Sequence, residues 1–302
     1  MVSDNVIDGR AIAERIHTGT SRRVAALKER GIQPGLVFVR VGEDSASKVY
    51  VGMKERTCAR LGIQSDTKVL KADTTEEHLL GLLRELNADA RYHGILVQAP
   101  LPAHIRELAA YSTVAPEKDV DGFNPVNFGK LMLGGTDGFF PCTPAGVQQL
   151  LIHAAVPTSG AEVVILGRGN IVGKPMAAIL CQKAKHADAT VTLCHSRSRH
   201  TTEHCRRADI IIAAMGVALF VKADMVKPGA AVIDVGVNRV ADPSAKGGHR
   251  LVGDVDFESV RNVAGKITPN PGGVGPMTIA VLMQNTVTAA ERANPLPNSP
   301  LN

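Results

Sequence analysis

Several classes of protein depend on residues that this chain has little of. Its 302 residues include no Trp, and aromatic residues make up only 3% of them. Proteins that bind single-stranded nucleic acid stack bases on aromatic side chains, so the composition argues against a nucleic-acid partner. The net charge of +5 is modest, and it suits an anionic small molecule at least as well as a nucleic acid.

Cysteines are few and scattered, and none of them form a C-x-x-C pair. This pattern predicts a reducing compartment and argues against a zinc knuckle. His200, His204 and Cys205 are close in sequence, but only two of the three share a helical face. No further ligand pair is spaced to complete a site, so we predict no bound metal.

Long apolar segments are also missing. The longest apolar run, residues 210–221, is shorter than the roughly 20 residues that a membrane-spanning helix needs. The N-terminus has Asp4 and no apolar core segment, so we expect no signal peptide. These features predict a cytoplasmic protein with no membrane partner.

What the chain does contain is an alternation of short apolar runs with helical patterns. The predicted strands are residues 36–41, 67–71, 94–98, 162–166, 190–194, 210–214 and 231–235. The predicted helices are residues 9–30, 46–61, 75–89, 144–155, 173–186 and 276–293. Continuous apolar runs are typical of parallel strands covered on both faces, so the pattern predicts an α/β fold.

The chain length favours two domains. Thr143 suits a helix cap and Pro144 a first helical position, so we place the boundary there. We predict an N-terminal α/β catalytic domain over residues 1–143 and a C-terminal Rossmann-type nucleotide-binding domain over residues 144–276. The last helix, within residues 277–302, has no strand after it, and we expect it to pack back onto the first domain.

A loop rich in glycine and proline, residues 269–278, precedes that last helix. It contains three prolines and three glycines. Ordering such a loop costs much backbone entropy, and glycine lets the backbone approach a flat ligand closely. A sharp turn before a helix is the alternative. Because a second glycine loop and a Tyr–Lys pair occur elsewhere in the chain, we favour a ligand site.

The second glycine loop follows the predicted strand 162–166. Gly167, Gly169 and Gly173 give G-x-G-x-x-x-G, one residue longer than the common dinucleotide fingerprint. The glycines let the backbone approach a pyrophosphate, and the helix that follows favours its negative charge. The position between a strand and a helix therefore predicts a dinucleotide site.

The next strand bears on which dinucleotide is bound. NAD-binding units usually end this strand in an acid that holds the ribose 2′-hydroxyl. Here the strand runs into His195, Ser196 and Arg197 instead. These groups suit a 2′-phosphate, with Arg168 able to join them, so the segment predicts NADP. The alternative is a solvated basic loop.

Tyr50 and Lys54 stand four residues apart in a predicted helix, so their side chains project from one face. Val49, Val51 and Met53 are apolar neighbours. A lysine among such groups can lose its proton near neutral pH, because desolvation disfavours the ammonium. It can then act as a general acid or base. The alternative is a solvated lysine, which is the common case.

Two further polar residues are placed like members of a site. Gln98 ends a buried-type strand, and ligands of open α/β sheets bind beyond the carboxyl ends of strands. A turn over residues 118–123 contains two acids, Asp119 and Asp121, and one of them can bind an amino-bearing heterocycle. Alternatively, Gln98 bonds its own loop and the turn is held by Asx hydrogen bonds.

Together these segments resemble the bifunctional methylenetetrahydrofolate dehydrogenase/methenyltetrahydrofolate cyclohydrolase family. The matching stretches, in the family's order, are VGEDSASKVYVGMKERTCARLGI (41–63), GILVQAPLP (94–102), KDVDGFN (118–124), PCTPAG (141–146), GRGNIVGKPMA (167–177), HSR (195–197), DVGVNR (234–239), GDV (253–255) and PGGVGPMT (271–278). They span nearly the whole chain, and the lysine segment and the last motif are highly specific.

The resemblance implies two reactions: oxidation of 5,10-methylenetetrahydrofolate by NADP⁺, and hydrolysis of the methenyl product to 10-formyltetrahydrofolate. It implies a folate cleft between the domains and a homodimer serving purine and amino-acid biosynthesis. The catalytic residues carried over by motif are Lys54, Gln98, Asp121 and Tyr50. The implied folate-binding residues are Tyr50, Val97, Gln98, Asp121, Pro271, Gly272, Gly273 and Gly275. The implied cofactor-binding residues are Gly167, Arg168, Gly169, Gly173, Ser196, Arg197 and Val237.

One departure from the family and two rival functions complete the prediction. Many relatives carry Ser where Gly169 stands, which implies a smaller preference for NADP here. A shikimate-type NADP dehydrogenase also sets a lysine and an aspartate against a glycine-loop domain, but the 271–278 loop and the Tyr50–Lys54 spacing count against it. A folate-binding or nucleotide-binding regulator without catalysis is the second rival, and the complete set of catalytic residues argues against it.

Overall fold

The computed structural model describes residues 5–244 and 248–296. Within these residues the chain forms two compact units. The first comprises residues 5–14 and Thr143–Thr278, and we call it the five-stranded unit after its sheet. The second comprises Arg15–Cys142 and residues 279–296, and we call it the three-stranded unit.

The helices and strands alternate as the sequence predicts. The helices are α1 (Gly9–Glu29), α2 (Ser45–Leu61), α3 (Glu76–Ala88), α4 (Glu107–Thr113), α5 (Pro125–Met132), α6 (Cys142–His153), α7 (Gly173–Leu180), α8 (Thr201–Arg207), α9 (Phe257–Val260) and α10 (Val274–Ala293). The strands are β1 (Gly35–Val41), β2 (Gln64–Leu70), β3 (Gly94–Val97), β4 (Glu162–Leu166), β5 (Thr190–Cys194), β6 (Ile210–Ala213), β7 (Ala231–Asp234), β8 (Asn238–Ala241), β9 (His249–Val252) and β10 (Lys266–Ile267).

The three-stranded unit has a parallel sheet in the order β2-β1-β3. Every residue of the central strand β1 is buried, which explains why all of its residues except Arg40 are apolar or glycine. Leu79, Leu83 and Leu86 recur at helical spacing in α3 and pack against one face of this sheet. The core of the unit therefore lies between the sheet and its helices.

The five-stranded unit has a parallel sheet in the order β10-β7-β6-β4-β5. After β4 the chain first adds β5 on one side and then returns to add β6 on the other. The strand order thus reverses between β4 and β6. In open parallel sheets, the loops at the carboxyl ends of the strands on either side of such a reversal form a crevice for the ligand.

The N-terminal segment differs from the predicted domain boundary at residue 143. Residues 5–14 group with the five-stranded unit rather than with the catalytic domain. The reason is backbone pairing, because Val6 forms a parallel bridge with Ile267 and the Ile7 amide donates to the Ile267 carbonyl. At the other end, residues 279–296 group with the three-stranded unit, where Arg23 forms an ion pair with Glu291 of α10.

One predicted helix is shorter than expected. The pattern predicts a helix over residues 173–186, whereas α7 ends at Leu180. The chain then turns tightly, since the Asp188 amide donates to the Gln182 carbonyl and His186 and Asp188 both have positive φ angles. Among the described residues, no helix has the length and apolar character needed to cross a bilayer.

Candidate active site

The lysine and the glutamine that the sequence singles out are brought together in the three-stranded unit. Lys54 lies in α2, and Gln98 follows the last residue of β3. The Lys54 Nζ donates a hydrogen bond of 3.0 Å to the Gln98 Oε1. The Gln98 Nε2 donates in turn to the Ala99 carbonyl at 2.7 Å, which fixes the direction of the amide. The predicted contact of Gln98 with its own loop and its contact with the lysine therefore coexist.

Helix α2 is held at both ends by its own sequence. The Asp44 side chain accepts from the Ser47 amide at 2.7 Å and caps the N-terminus. Gly62 ends the helix in the left-handed conformation, with φ of 77°. This fixes the axis along which Tyr50 and Lys54 lie one turn apart, with Tyr50 partly buried.

Lys54 is only 6% exposed, and of its three predicted apolar neighbours only Val51 is buried with it. Val49 and Met53 are 61% and 38% exposed. The face that carries Lys54 instead includes the buried Val51 and, one turn further, the buried Cys58. Burial lowers the pKa of Lys54 below its ordinary value, and the Asp121 carboxylate opposes this shift. The prediction of a desolvated lysine is right, with one predicted neighbour, Val51, and one that was not predicted, Cys58, buried on the same face.

The acidic turn between α4 and α5 contains two aspartates, Asp119 and Asp121, whose contacts differ. The Asp119 carboxylate is buried and accepts from the amides of Gly122, Phe123 and Asn124 at 3.2, 3.1 and 2.8 Å. It also accepts from the Asn127 side chain at 2.9 Å. Asp119 therefore supplies the Asx-type bonding that the sequence left open, and Asp121 is not the residue that holds the turn.

Asp121 instead lies close enough to Lys54 to influence its charge. Burial raises the pKa of Asp121, while the positive charge of Lys54 and a hydrogen bond with the Cys142 side chain oppose the shift. The lowered pKa of Lys54 and the raised pKa of Asp121 both favour the neutral forms. Shifted pKa values of this kind in neighbouring groups are typical of sites that transfer protons.

Sequence reasoning missed Cys142 as a member of this group. Its thiol is fully buried and donates to the Val120 carbonyl at 3.2 Å. The Asn285 side chain of α10 donates to the same Val120 carbonyl at 2.9 Å. Burial beside Asp121 raises the pKa of the Cys142 thiol well above its ordinary value, so it stays protonated. The only sequence signal was its place in the PCTPAG motif.

The predicted dinucleotide turn in the five-stranded unit lies directly between β4 and α7. Gly167 has φ of 115°, and a Cβ there would lie 2.1 Å from the Ala214 carbonyl oxygen. A Cβ on Gly173 would lie 1.9 Å from the Gly167 carbonyl oxygen. These two positions accept only glycine. Around Gly169 there is open space, so the residue at this position can vary.

The predicted phosphate-binding residues and this turn lie at the same end of the sheet, beyond the carboxyl ends of β4 and β5. Leu166 pairs with Cys194 in the parallel ladder of β4 and β5, so the segments after both strands lie side by side. Arg168, Ser196 and Arg197 are all exposed there. Two guanidinium groups and a hydroxyl, with no acid over residues 195–199, form a donor set that fits a phosphate.

The remaining predicted residues have different surroundings. Val97 is the last residue of β3 and is buried. Val237 follows β7 and is 54% exposed.

The loop with Pro271 and its glycines lies in the five-stranded unit. A Cβ on Gly273 would lie 2.7 Å from the Pro269 carbonyl oxygen, whereas Gly275 has open space around it. Gly272 has φ of 111°. Close packing thus explains Gly273, and the backbone conformation explains Gly272. Neither explains Pro271 or Gly275, both of which are exposed.

The fold and these residues define a class of enzyme with two α/β units, one with a buried lysine bonded to a glutamine and the other with a glycine turn between a strand and a helix. Two family models match the chain. The tetrahydrofolate dehydrogenase/cyclohydrolase catalytic domain matches residues 7–121, and the NAD(P)-binding domain of the same enzymes matches residues 141–294. The chain therefore belongs to the tetrahydrofolate dehydrogenase/cyclohydrolase family, as its motifs predict.

Individual relatives agree over nearly the full length. The bifunctional protein FolD of Syntrophus aciditrophicus is 54% identical over 285 residues, which cover 94% of this chain and 97% of the relative. The crystal structure of the bifunctional enzyme FolD from Campylobacter jejuni is similar with a TM-score of 0.90 at 43% identity, covering 95% of this chain and 99% of that one.

A third relative carries a ligand. It is the methylenetetrahydrofolate dehydrogenase-cyclohydrolase of Trypanosoma brucei, complexed with NADP cofactor and inhibitor. Its TM-score is 0.90 at 42% identity, covering 95% of this chain and 97% of that one. Together with the family models, these likenesses confirm the predicted fold class.

Proposed function

We propose that this chain catalyses two consecutive reactions on a folate. The first oxidises 5,10-methylenetetrahydrofolate to the methenyl cation with NADP⁺, and the second hydrolyses that cation to 10-formyltetrahydrofolate. The observation that carries the proposal is the hydrogen bond from the buried Lys54 to Gln98, with Asp121 beside it, in a chain of this family. The family also makes the shikimate-type alternative untenable.

The chemistry of the hydrolysis suits a buried lysine. The substrate is a cation, so a permanently charged group such as Arg would repel it. Burial lowers the pKa of Lys54 and so favours its neutral amine, which can exchange a proton with the attacking water or with the folate nitrogen. Gln98 orients the amine through its own fixed amide. In this proposal Tyr50, one turn before Lys54, packs against the folate ring.

Asp121 is proposed to hold the pterin. A carboxylate can accept two hydrogen bonds from the amino group and ring N–H of this heterocycle. Because Asp119 makes the bonds that shape the turn, the Asp121 carboxylate is not needed for that purpose. The assignment of Val97, Pro271, Gly272, Gly273 and Gly275 to folate binding is part of the same proposal.

NADP⁺ is the proposed cofactor, and when bound it accepts the hydride from the methylene carbon. Gly167 and Gly173 give the turn its close packing, and the open space at Gly169 leaves room beside it. Arg168, Ser196 and Arg197 are proposed to bind the 2′-phosphate, and Val237 to contact the cofactor. The crystal structure of the Trypanosoma brucei relative with NADP supports this choice.

The biological setting is proposed on the resemblance alone. We infer a cytoplasmic homodimer that supplies one-carbon units for purine and amino-acid biosynthesis, with no nucleic-acid or membrane partner.

One spectroscopic assay tests the whole proposal. The purified protein is mixed with 5,10-methylenetetrahydrofolate and either NADP⁺ or NAD⁺, and the ultraviolet band of the methenyl cation is followed. We expect the band to rise faster with NADP⁺, and we expect separately added methenyltetrahydrofolate to decay faster than in buffer. Binding of folate without turnover in either direction would instead identify the non-catalytic regulator.

A further inference from the structure

Two buried aspartates of the five-stranded unit have no part in the function proposed so far. Asp234 is the last residue of β7 and is 3% exposed. Asp254 follows β9 and is completely buried. Both lie in motifs shared with the family, DVGVNR and GDV, yet neither was predicted to bind anything. Burying two carboxylates side by side is costly unless each is well hydrogen-bonded.

Asp254 bonds two different loops. Its Oδ2 accepts from the amides of Met215 and Gly216, which follow β6, at 2.7 and 2.9 Å. Its Oδ1 accepts from the side chain of Asn238, at the start of β8, at 2.8 Å. One carboxylate thus ties the loop after β6 to the segment after β7.

Asp234 holds Asp254 in place. Its Oδ1 accepts from the amides of Gly236 and Asp254 at 3.0 and 2.9 Å, and its Oδ2 accepts from the Val255 amide at 3.2 Å. The packing leaves no room for side chains beside it. A Cβ on Gly253 would lie 1.6 Å from the Asp234 Oδ2, and one on Gly236 would lie 2.2 Å from the Asp254 Oδ1. The two glycines and two aspartates therefore form one fixed assembly.

This assembly lies at the carboxyl ends of the strands, next to the loop after β6. The loop after β6 flanks the crevice where the strand order reverses, and its Ala214 carbonyl is the group against which Gly167 packs. Arg168, Ser196 and Arg197 lie on the β4–β5 side of that crevice. If the 2′-phosphate and adenosine bind there, the nicotinamide half extends over β6 and β7, where Asp254 holds the loops.

We propose that Asp254, fixed by Asp234, is a positioning residue for the nicotinamide half of the bound dinucleotide. It acts through the amides of Met215 and Gly216 and through Asn238, without touching the cofactor itself. This inference rests on the proposed function, since it requires NADP⁺ to bind in this unit.

The test compares the whole cofactor with a fragment that lacks nicotinamide. Binding of NADP⁺ and of adenosine 2′,5′-bisphosphate is measured by calorimetry on the wild type and on Asp254→Asn. Asparagine keeps the size of the side chain but replaces one acceptor by a donor, so one of the three bonds must be lost. We expect NADP⁺ binding to weaken about tenfold, the equivalent of one charge-assisted hydrogen bond, and the fragment to bind as it does to the wild type.

A second variant tests the bond to Asn238. In the double variant Asp254→Asn, Asn238→Asp the donor and acceptor exchange places, so the hydrogen bond can form again. We expect this variant to recover most of the NADP⁺ affinity. As an internal control, hydrolysis of methenyltetrahydrofolate without any dinucleotide should stay within about twofold of the wild type in both variants.

The outcomes separate three possibilities. Equal loss of affinity for NADP⁺ and for the fragment would mean general damage to the unit and would overturn the inference, as would unchanged NADP⁺ binding by Asp254→Asn. Failure of the double variant to recover any affinity would overturn the role of Asn238. Absence of NADP⁺ binding by the wild type would instead contradict the proposed function.

Discussion

The lysine group and the dinucleotide turn use charge in opposite ways. Lys54 and Cys142 are buried, Asp121 is partly buried, and burial is the largest cause of the pKa shift of all three. Arg168, Ser196 and Arg197 are exposed, and the glycines between them set only the path of the backbone. In the proposed function, the first site depends on the protonation state of its side chains, whereas the second depends on permanent charge and backbone shape.

This difference implies different responses to mutation. Removing a buried group that changes its protonation state should abolish a chemical step. Removing one of several exposed cations should change affinity by a modest factor, because water already screens such charges. The following predictions start with the largest expected effect.

The largest effect should come from Lys54→Met, which keeps the length and apolar stem of the side chain but removes the amine. Positioned proton transfer is typically worth roughly 10²–10⁴-fold in rate, so we expect hydrolysis of methenyltetrahydrofolate to fall by that factor. NADP⁺ binding measured by calorimetry should be unchanged. Lys48→Met on the same helix is the matched control, because Lys48 is exposed and pairs with Glu43. Near-wild-type hydrolysis by Lys54→Met would remove the amine from the mechanism.

Asp121→Asn should have the next largest effect, on folate affinity. The amide replaces one acceptor oxygen by a donor, which opposes a pterin N–H. Hydrogen bonds to charged groups are worth about 1.5–3 kcal/mol each, so we expect folate binding to weaken by a factor of about 10–150. Affinity for NADP⁺ should not change. The exposed Asp137, changed to Asn, is the control. An equal loss of affinity for folate and for NADP⁺ would indicate that the substitution disrupts the turn itself.

The five-stranded unit should respond more weakly. We expect Arg197→Ala to raise the KM for NADP⁺ roughly tenfold, as for one lost charge-assisted contact, and to leave the KM for NAD⁺ nearly unchanged. Steady-state rates with both cofactors measure this. Arg199→Ala, an exposed arginine in the same loop, is the matched control. If both arginine variants raised the KM for NADP⁺ and the KM for NAD⁺ equally, the assignment of the 2′-phosphate site would be wrong.

The smallest effect concerns stability and its dependence on pH. The folded state lowers the pKa of Lys54, so the charged form is disfavoured on folding. Above the ordinary value of 10.5 the lysine is neutral in both states and no penalty remains. As the pH falls, the unfolded chain binds the proton first, and the penalty grows until the lowered pKa of the folded state is reached.

Lys54→Met should therefore raise the free energy of unfolding by about 1 kcal/mol at pH 7 and by less near pH 10. Urea unfolding at the two pH values measures the difference, with Lys48→Met expected to show none. A stabilisation that is equal at both pH values would mean that packing, and not the charge, causes it.

The helices and strands that could be predicted are those long enough for their hydrophobic pattern to show in the sequence. All strands of the two parallel sheets except β10 were predicted, most of them because their apolar runs are continuous. The exception among the predicted strands is β2, QSDTKVL, which is mostly polar and was predicted only from residue 67 onward. Helices α4, α5, α8 and α9 have 7, 8, 7 and 4 residues, which is too short for a helical period to show. The strand β10 has 2 residues, and its pairing with β7 comes from the fold and not from its sequence.

The residues of the candidate site could be predicted where their position in a helix or strand already indicates their role. Lys54 and Gln98 were readable from their places in a helix and at a strand end. The roles of Asp119 and Asp121 were not, because only the direction of the amides of Gly122, Phe123 and Asn124 shows which carboxylate holds the turn. Cys142 was missed because its neighbours come from distant parts of the chain, above all Asn285.

The turn held by Asp119 has a consequence for how this enzyme can change. Four hydrogen bonds fix its path, and all of them end on a residue that the ligand need not meet. The side chain at position 121 is therefore free to be exchanged without unfolding the loop that presents it. With Asp121 as the proposed recognition group, single substitutions at this position can change which heterocycle is bound while the turn keeps its hydrogen bonds.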